Sequence, residues 1–210
     1  MLADDFFLIV WDTTGTGKPR LYLQGLTLGL AGALLGELVL ENRVTVRGAR
    51  LQLLDRLPLR ERVADGILAD IANSPQHTDV RTWLAYLAQR SLPDVTGRLL
   101  GIGLLECVTP KLLKHKQNRY FATEFGPAVW PSTRLRLSLV RRRPLNPYDM
   151  LLAALVDACG MTDTVVEDTG HRPEAHRHMT AVLAAMPQPL SDLSRHVSAA
   201  VGDAVLTYRT

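Results

Sequence analysis

"LTLGLAGALLGELVLEN", residues 26–42, decides the fold. Its apolar side chains fall on every face of a 3.6-residue helix rather than on one stripe, and the pattern of a helix with no solvent side is that of one buried centrally. Gly29, Gly32 and Gly36 recur at helical spacing, so neighbouring elements should pack close against it. The uncharged stretch to which it belongs runs from Leu21 to Gly36, 16 residues rich in Gly and Ala. A bilayer-spanning helix needs about 20 mostly large apolar residues. The stretch is therefore read as a core helix, and the chain as soluble or bound to membranes from outside.

Outward from this helix the periodicity stays helical. "ADDFFLIVWD" (3–12) opens with carboxylates that suit a helix N-terminus. The segments 59–74, 79–90, 93–106, 132–143, 146–160, 172–186 and 190–208 are expected to be helices, 93–106 with proline at its first turn and the last two with a capping start. Two stretches alternate instead. "RVTVRGARLQLLD" (43–55) turns around Arg47-Gly48, and "LECVTPKLLKHKQNRYFAT" (105–123) has two β-prone arms around a basic loop. The fold class is mostly α: a single compact helical domain, 1–210, with a central buried helix and two small β-hairpins. No repeat, linker or low-complexity tract divides it.

Composition narrows the function classes. From Cys107 to Asn146 the chain has nine basic residues against Glu124 alone, so the rest is net acidic although the total is +3. Three of the four lysines, Lys111, Lys114 and Lys116, lie in "KLLKHK". Such a local surplus suits an anionic partner, either a charged membrane surface or nucleic acid. "DTTGTGK" (12–18) occupies the place of a phosphate loop but lacks its chemistry. Asp12 stands where the first glycine belongs, and Pro19 replaces the hydroxyl after the lysine. It is read as a surface turn. Cys107 and Cys159 lie in apolar sequence without metal-ligand spacing, as suits a reducing compartment. "HRPEAHRH" (171–178) gathers three histidines but no paired carboxylate or cysteine, and is read as a solvated helix start. No nucleophile elbow or convergent carboxylate set is present, so no catalytic residue, metal or cofactor is assigned.

The residues "GLAGALLGELVLENRV" (29–44) carry a resemblance to the Golgi phosphoprotein 3-like family, through Gly29, Leu30, Gly32, Leu35, Glu37, Leu38, Leu40, Arg43 and Val44. "DDFFLIVWDTTG", "RLLGIG" before "LLEC", and "DMLLAALVDACG" extend the likeness along the chain to shorter, bacterial-type members. The resemblance implies a mostly α domain with a projecting hairpin, binding to phosphatidylinositol 4-phosphate as in eukaryotic members, and an adaptor role towards membrane enzymes. It places Tyr22 at the aromatic headgroup position and Ala31 where the family has arginine. Gln89 and Leu92 fall at the basic positions, with Arg90 and Arg98 nearby but out of register. It further implies self-association through the hairpin.

The hairpin supports docking independently. Leu112 and Leu113 lie between lysines, so apolar side chains could enter the interface while Lys111, Lys114 and Lys116 meet phosphates, each contributing about 1 kcal/mol. The expected site set is Tyr22, Arg90, Arg98, Lys111, Leu112, Leu113, Lys114 and Lys116, and the expected role that of a cytoplasmic, peripherally membrane-associated, non-enzymatic adaptor. The alternative is a winged-helix DNA-binding protein with the hairpin as wing. Its recognition helix, 93–106, offers only Thr96 and Arg98 to read bases, which argues against nucleic acid.

Overall fold

The computed structural model describes residues 1–109, 118–166, 170 and 172–208. Among them are ten helices and four strands in two separate antiparallel pairs, which agrees with the mostly α expectation. Helix α2 (Leu23–Leu40) is the axis. Helices α1 (Leu2–Val10), α3 (Arg62–Asn73), α4 (Val80–Ala88), α5 (Ser91–Gly101), α7 (Pro147–Ala158) and α10 (Gln188–Tyr208) all contact it. It is longer than expected, at 18 residues, and by length and composition alone could cross a membrane, but 78% of it is buried inside this fold.

The close approach rests on small residues. A Cβ at Gly32 would collide with Val197 of α10 and sit 3.1 Å from Leu155 of α7. One at Gly36 would lie 2.5 Å from Leu151 and 3.0 Å from Leu2. Caps fix several starts: Glu61 accepts from the Val63 and Ala64 amides, Asp79 from Thr82, and Asn146 from Asp149, with Pro147 at the first helical position.

The first hairpin, β1 (Val44–Arg47) and β2 (Arg50–Leu53), turns at Gly48-Ala49, one residue beyond the expected corner. Its tip is clamped by α10: the Gly48 amide donates to Asp192 (2.7 Å), and the Gly48 carbonyl is 2.9 Å from His196 Nε2. In the second, β3 (Leu105–Val108) and β4 (Arg119–Ala122) pair from Leu105↔Ala122 to Val108↔Arg119.

Two elements depart from expectation. Helix α6 (Phe125–Val140) begins seven residues before Ser132, because Pro127 sits in the first turn, where no amide partner is needed, and Pro131 is accommodated inside the helix. Helix α8 (Thr162–Val166) is too short to leave a periodic signal; α9 (Arg172–Ala184) follows it. Of the cysteines, Cys159 is buried, its Sγ 3.7 Å from the Gly25 carbonyl of α2, whereas Cys107 on β3 is exposed, because β3 turns only Leu105 towards the core.

Candidate functional site

The turn after α1 explains the position of the second hairpin. The Asp12 carboxylate accepts from the Thr16 amide (2.7 Å) and pairs with Arg20 (2.8 Å), and these contacts hold it below the usual carboxylate range. The folded turn then offers its own carbonyls to β4. The Tyr120 amide donates to Gly17 and the Ala122 amide to Thr13. Gly17, with φ +68°, lies directly under the Phe121 ring. The hairpin root is thus bonded to the N-terminal segment.

Helix α6 lies against α1 and separates two cavities by its own periodicity. Phe125, Val129, Ser132, Thr133 and Arg136 line one flank, a cavity of about 430 Å³ closed by Trp11, Thr13 and Arg20. Pro127, Trp130 and Pro131 line the other, an apolar cleft of about 590 Å³ shared with Met1, Leu99 and Ile102. Phe125, Trp130 and Ile102 are respectively 70%, 57% and 67% exposed. These three large apolar side chains lie beside the hairpin root, for Thr123, next to β4, bonds back to Leu104 and Gly103. Sequence reading missed them: "FGPAVWP" contains two prolines and reads as loop, and only its paired aromatics signal exposure.

At the far end of α6, Arg141, Arg142 and Arg143 are exposed. The helix stops there in a Schellman turn, with the Arg143 amide bonded to Ser138 and the Arg142 amide to Leu139. Arg134, from the same basic stretch, points inward to Asp5 (2.9 Å) and Asp149 (2.8 Å).

The described members of the expected site set, Tyr22, Arg90 and Arg98, each meet partners within the fold. Tyr22 precedes α2, but its ring covers Gly25 and its hydroxyl donates to the Val201 carbonyl (2.9 Å), so its polar end is tied to α10. Ala31 is completely buried, with no surface on which a headgroup contact could form. Arg90 is half-buried and held by Asp94 (2.7 Å) and Asp70 (3.1 Å). Gln89 is exposed and Leu92 packs on the core.

Arg98 requires a correction of kind. Only 8% of its side chain is exposed, and its guanidinium reaches Asp4 (2.8 Å), Glu37 (3.1 Å) and Glu61 (3.1 Å), a buried cluster that joins α1, α2, α5 and the start of α3. A guanidinium so engaged holds helices together rather than a lipid phosphate. Thr96 is also buried, its hydroxyl donating to Leu92. Both base readers of the winged-helix alternative therefore point into the protein. Lys111, Leu112, Leu113, Lys114 and Lys116 lie outside the described residues, as does His171. Of the remaining histidines in that run, His176 meets Asp163 (2.8 Å) and His178 the Arg143 carbonyl (3.0 Å).

The described residues thus present Ile102, Phe125 and Trp130 as an exposed apolar group beside the root of the second hairpin. The family model of Golgi phosphoprotein 3 (GPP34) matches residues 2–206, nearly the whole chain. The chain belongs to that family. No curated protein matches it.

Proposed function

We propose that this protein is a non-catalytic peripheral adaptor that docks on anionic phospholipid from the cytoplasmic side, using the end of the fold where the second hairpin is rooted. The observation that carries the reading is the exposed set Ile102, Phe125 and Trp130, beside a hairpin whose connecting sequence holds Lys111, Lys114 and Lys116. Aromatic side chains favour the bilayer interface, and lysines nearby add an attraction that salt screens. Since Tyr22 is tied inward and Ala31 replaces an arginine, the docking is general for anionic surface rather than specific for phosphatidylinositol 4-phosphate. A membrane-enzyme client and self-association through the hairpin belong to the same proposal.

Liposome flotation tests it. Recovery should be higher on phosphatidylglycerol vesicles than on neutral ones, and equal on phosphatidylinositol 4-phosphate vesicles of matched charge. Phe125→Ser with Trp130→Ser should lower recovery at every salt concentration, while serine at the three lysines should lower it mainly at low salt. Equal recovery of the wild type on neutral and anionic vesicles would overturn the reading.

A further inference from the structure

We infer that the arginine ridge at the end of α6, residues 141–143, is a contact surface for an acidic segment of a partner protein, separate from the docking end and independent of it. The ridge stands where the fold prefers other residues. Arg142 takes the first position beyond the cap of the Schellman turn at φ 51°, a place that glycine or asparagine fills at little cost. Arg143 takes the next position, where an apolar side chain usually closes the turn back onto the helix. With Arg141 at the cap they form three consecutive exposed guanidiniums. A helix C-terminus favours positive charge nearby, but that preference does not require arginine in the left-handed position. Two local rules broken in one otherwise regular turn point to a use for the charge outside the helix.

Among the described residues, no carboxylate reaches these guanidiniums. Helices α1, α8 and α9 pack against α6, and their carboxylates are committed elsewhere: Asp4 to Arg98, Asp5 to Arg134, Asp163 to Arg172 and Glu174 to Arg177. His178 of α9 meets the backbone carbonyl of Arg143 (3.0 Å), which fixes the turn and leaves the side chain outward. Guanidinium forks match carboxylates in two-pronged fashion, so a run of Glu or Asp supplies the counter-charge that the fold does not. A bilayer fits less well. Lasting attachment to lipid takes an apolar anchor beside the charge, and Leu145, the apolar residue of this turn, is buried. Phe125 lies at the opposite end of the 16-residue helix, about 24 Å away and beyond the range over which salt lets exposed charges act together.

Fluorescence anisotropy of a labelled oligoglutamate peptide titrated with the full chain tests the inference without vesicles, so its outcome does not depend on membrane docking. The wild type should bind, and more weakly as salt rises. Arg142→Gly should raise the melting temperature, because it relieves the turn, and yet weaken binding about threefold. Arg141→Gln and Arg143→Gln added to it should bring the loss to about tenfold or more. Serine at Lys111, Lys114 and Lys116, or Phe125→Ser with Trp130→Ser, should leave the affinity as in the wild type. Absence of binding by the wild type, unchanged affinity in both arginine variants, or an equal loss in the lysine variant would overturn the proposal. It would fall equally if the triple arginine variant lost more binding to duplex DNA or to phosphatidylglycerol vesicles than to the peptide, since the ridge would then serve a phosphate surface.

Discussion

One guanidinium in the interior, Arg98, faces three carboxylates. Burial of unpaired charge costs several kcal/mol per ion, so the cluster holds only while its members remain together. Burial also raises the Glu37 carboxyl above its ordinary value of 4.5, with Arg98 pulling the other way. Glu37 thus binds its proton more readily in the folded chain than in the unfolded one. Its contribution is complete below about pH 4.5 and is withdrawn as pH rises through its native value. Arg98→Met should cost about 3–5 kcal/mol at pH 7, because it strands the buried Glu37 without a counter-charge and leaves Asp4 only the N-terminal ammonium. The deficit should narrow towards pH 5, as the stranded Glu37 carboxyl, already raised by burial, takes up its proton. Urea unfolding of both proteins at the two pH values reads it directly, and a deficit independent of pH would place the cost in packing instead. In the sequence Arg98 was one basic residue near a basic hairpin. Nothing local distinguishes an arginine aimed at solvent from one aimed at residues 37, 61 and 94 positions away in the chain, so the carboxylate partners were illegible until the helices were brought together.

Helices were the legible elements, because burial of one face writes a 3.6-residue period into the chain. The central helix 26–42 was readable for the opposite reason, having no polar face at all. Its packing gives the sharpest expectation at this scale. Gly32→Ala should destabilise by about 1–3 kcal/mol, since its Cβ meets Val197 and Leu155 at once. Val197→Ala in the same chain should recover part of the loss, as seen by thermal denaturation of the double variant. Helix ends show a second regularity. The turns after α2, α5, α6 and α7 all close in the left-handed region, at Asn42, Gly103, Arg142 and Gly160. Asn and Gly suit that conformation and Arg does not, its Cβ crowding the backbone at φ 51°. Arg142→Gly should therefore stabilise the fold by about 0.5–1 kcal/mol in a denaturant titration, while lowering the positive charge of the surface there. Where the pattern failed, at α6 and α8, the reasons were two prolines that read as a loop and a helix barely longer than one turn.

At the scale of the whole molecule, the first twenty residues organise the end of the fold where the second hairpin is rooted. They supply α1, one wall of each cavity, and the two carbonyls that hold β4. "DTTGTGK" was legible as a turn from its composition, but not as the anchor of a strand 100 residues later. Gly17→Ala should break that anchorage, combining a strained φ with a Cβ 2.5 Å from the Phe121 ring. The expected result is faster hydrogen exchange at the Tyr120 and Ala122 amides, with exchange in α2 and α10 unchanged. Uniformly faster exchange would mean that the turn supports the entire core.

The two thiols give this architecture a built-in gauge. Cys159, with its thiol pushed up to about 12 by burial and its Sγ 3.7 Å from the Gly25 carbonyl, is protected from alkylating reagents at neutral pH. Cys107 is exposed on β3. A maleimide dye added to the native chain should therefore attach at the hairpin root alone, without any engineered residue. If that end of the fold enters a lipid interface, an environment-sensitive dye there will shift its emission to the blue as vesicles are titrated in, and the same signal will report release when salt is raised.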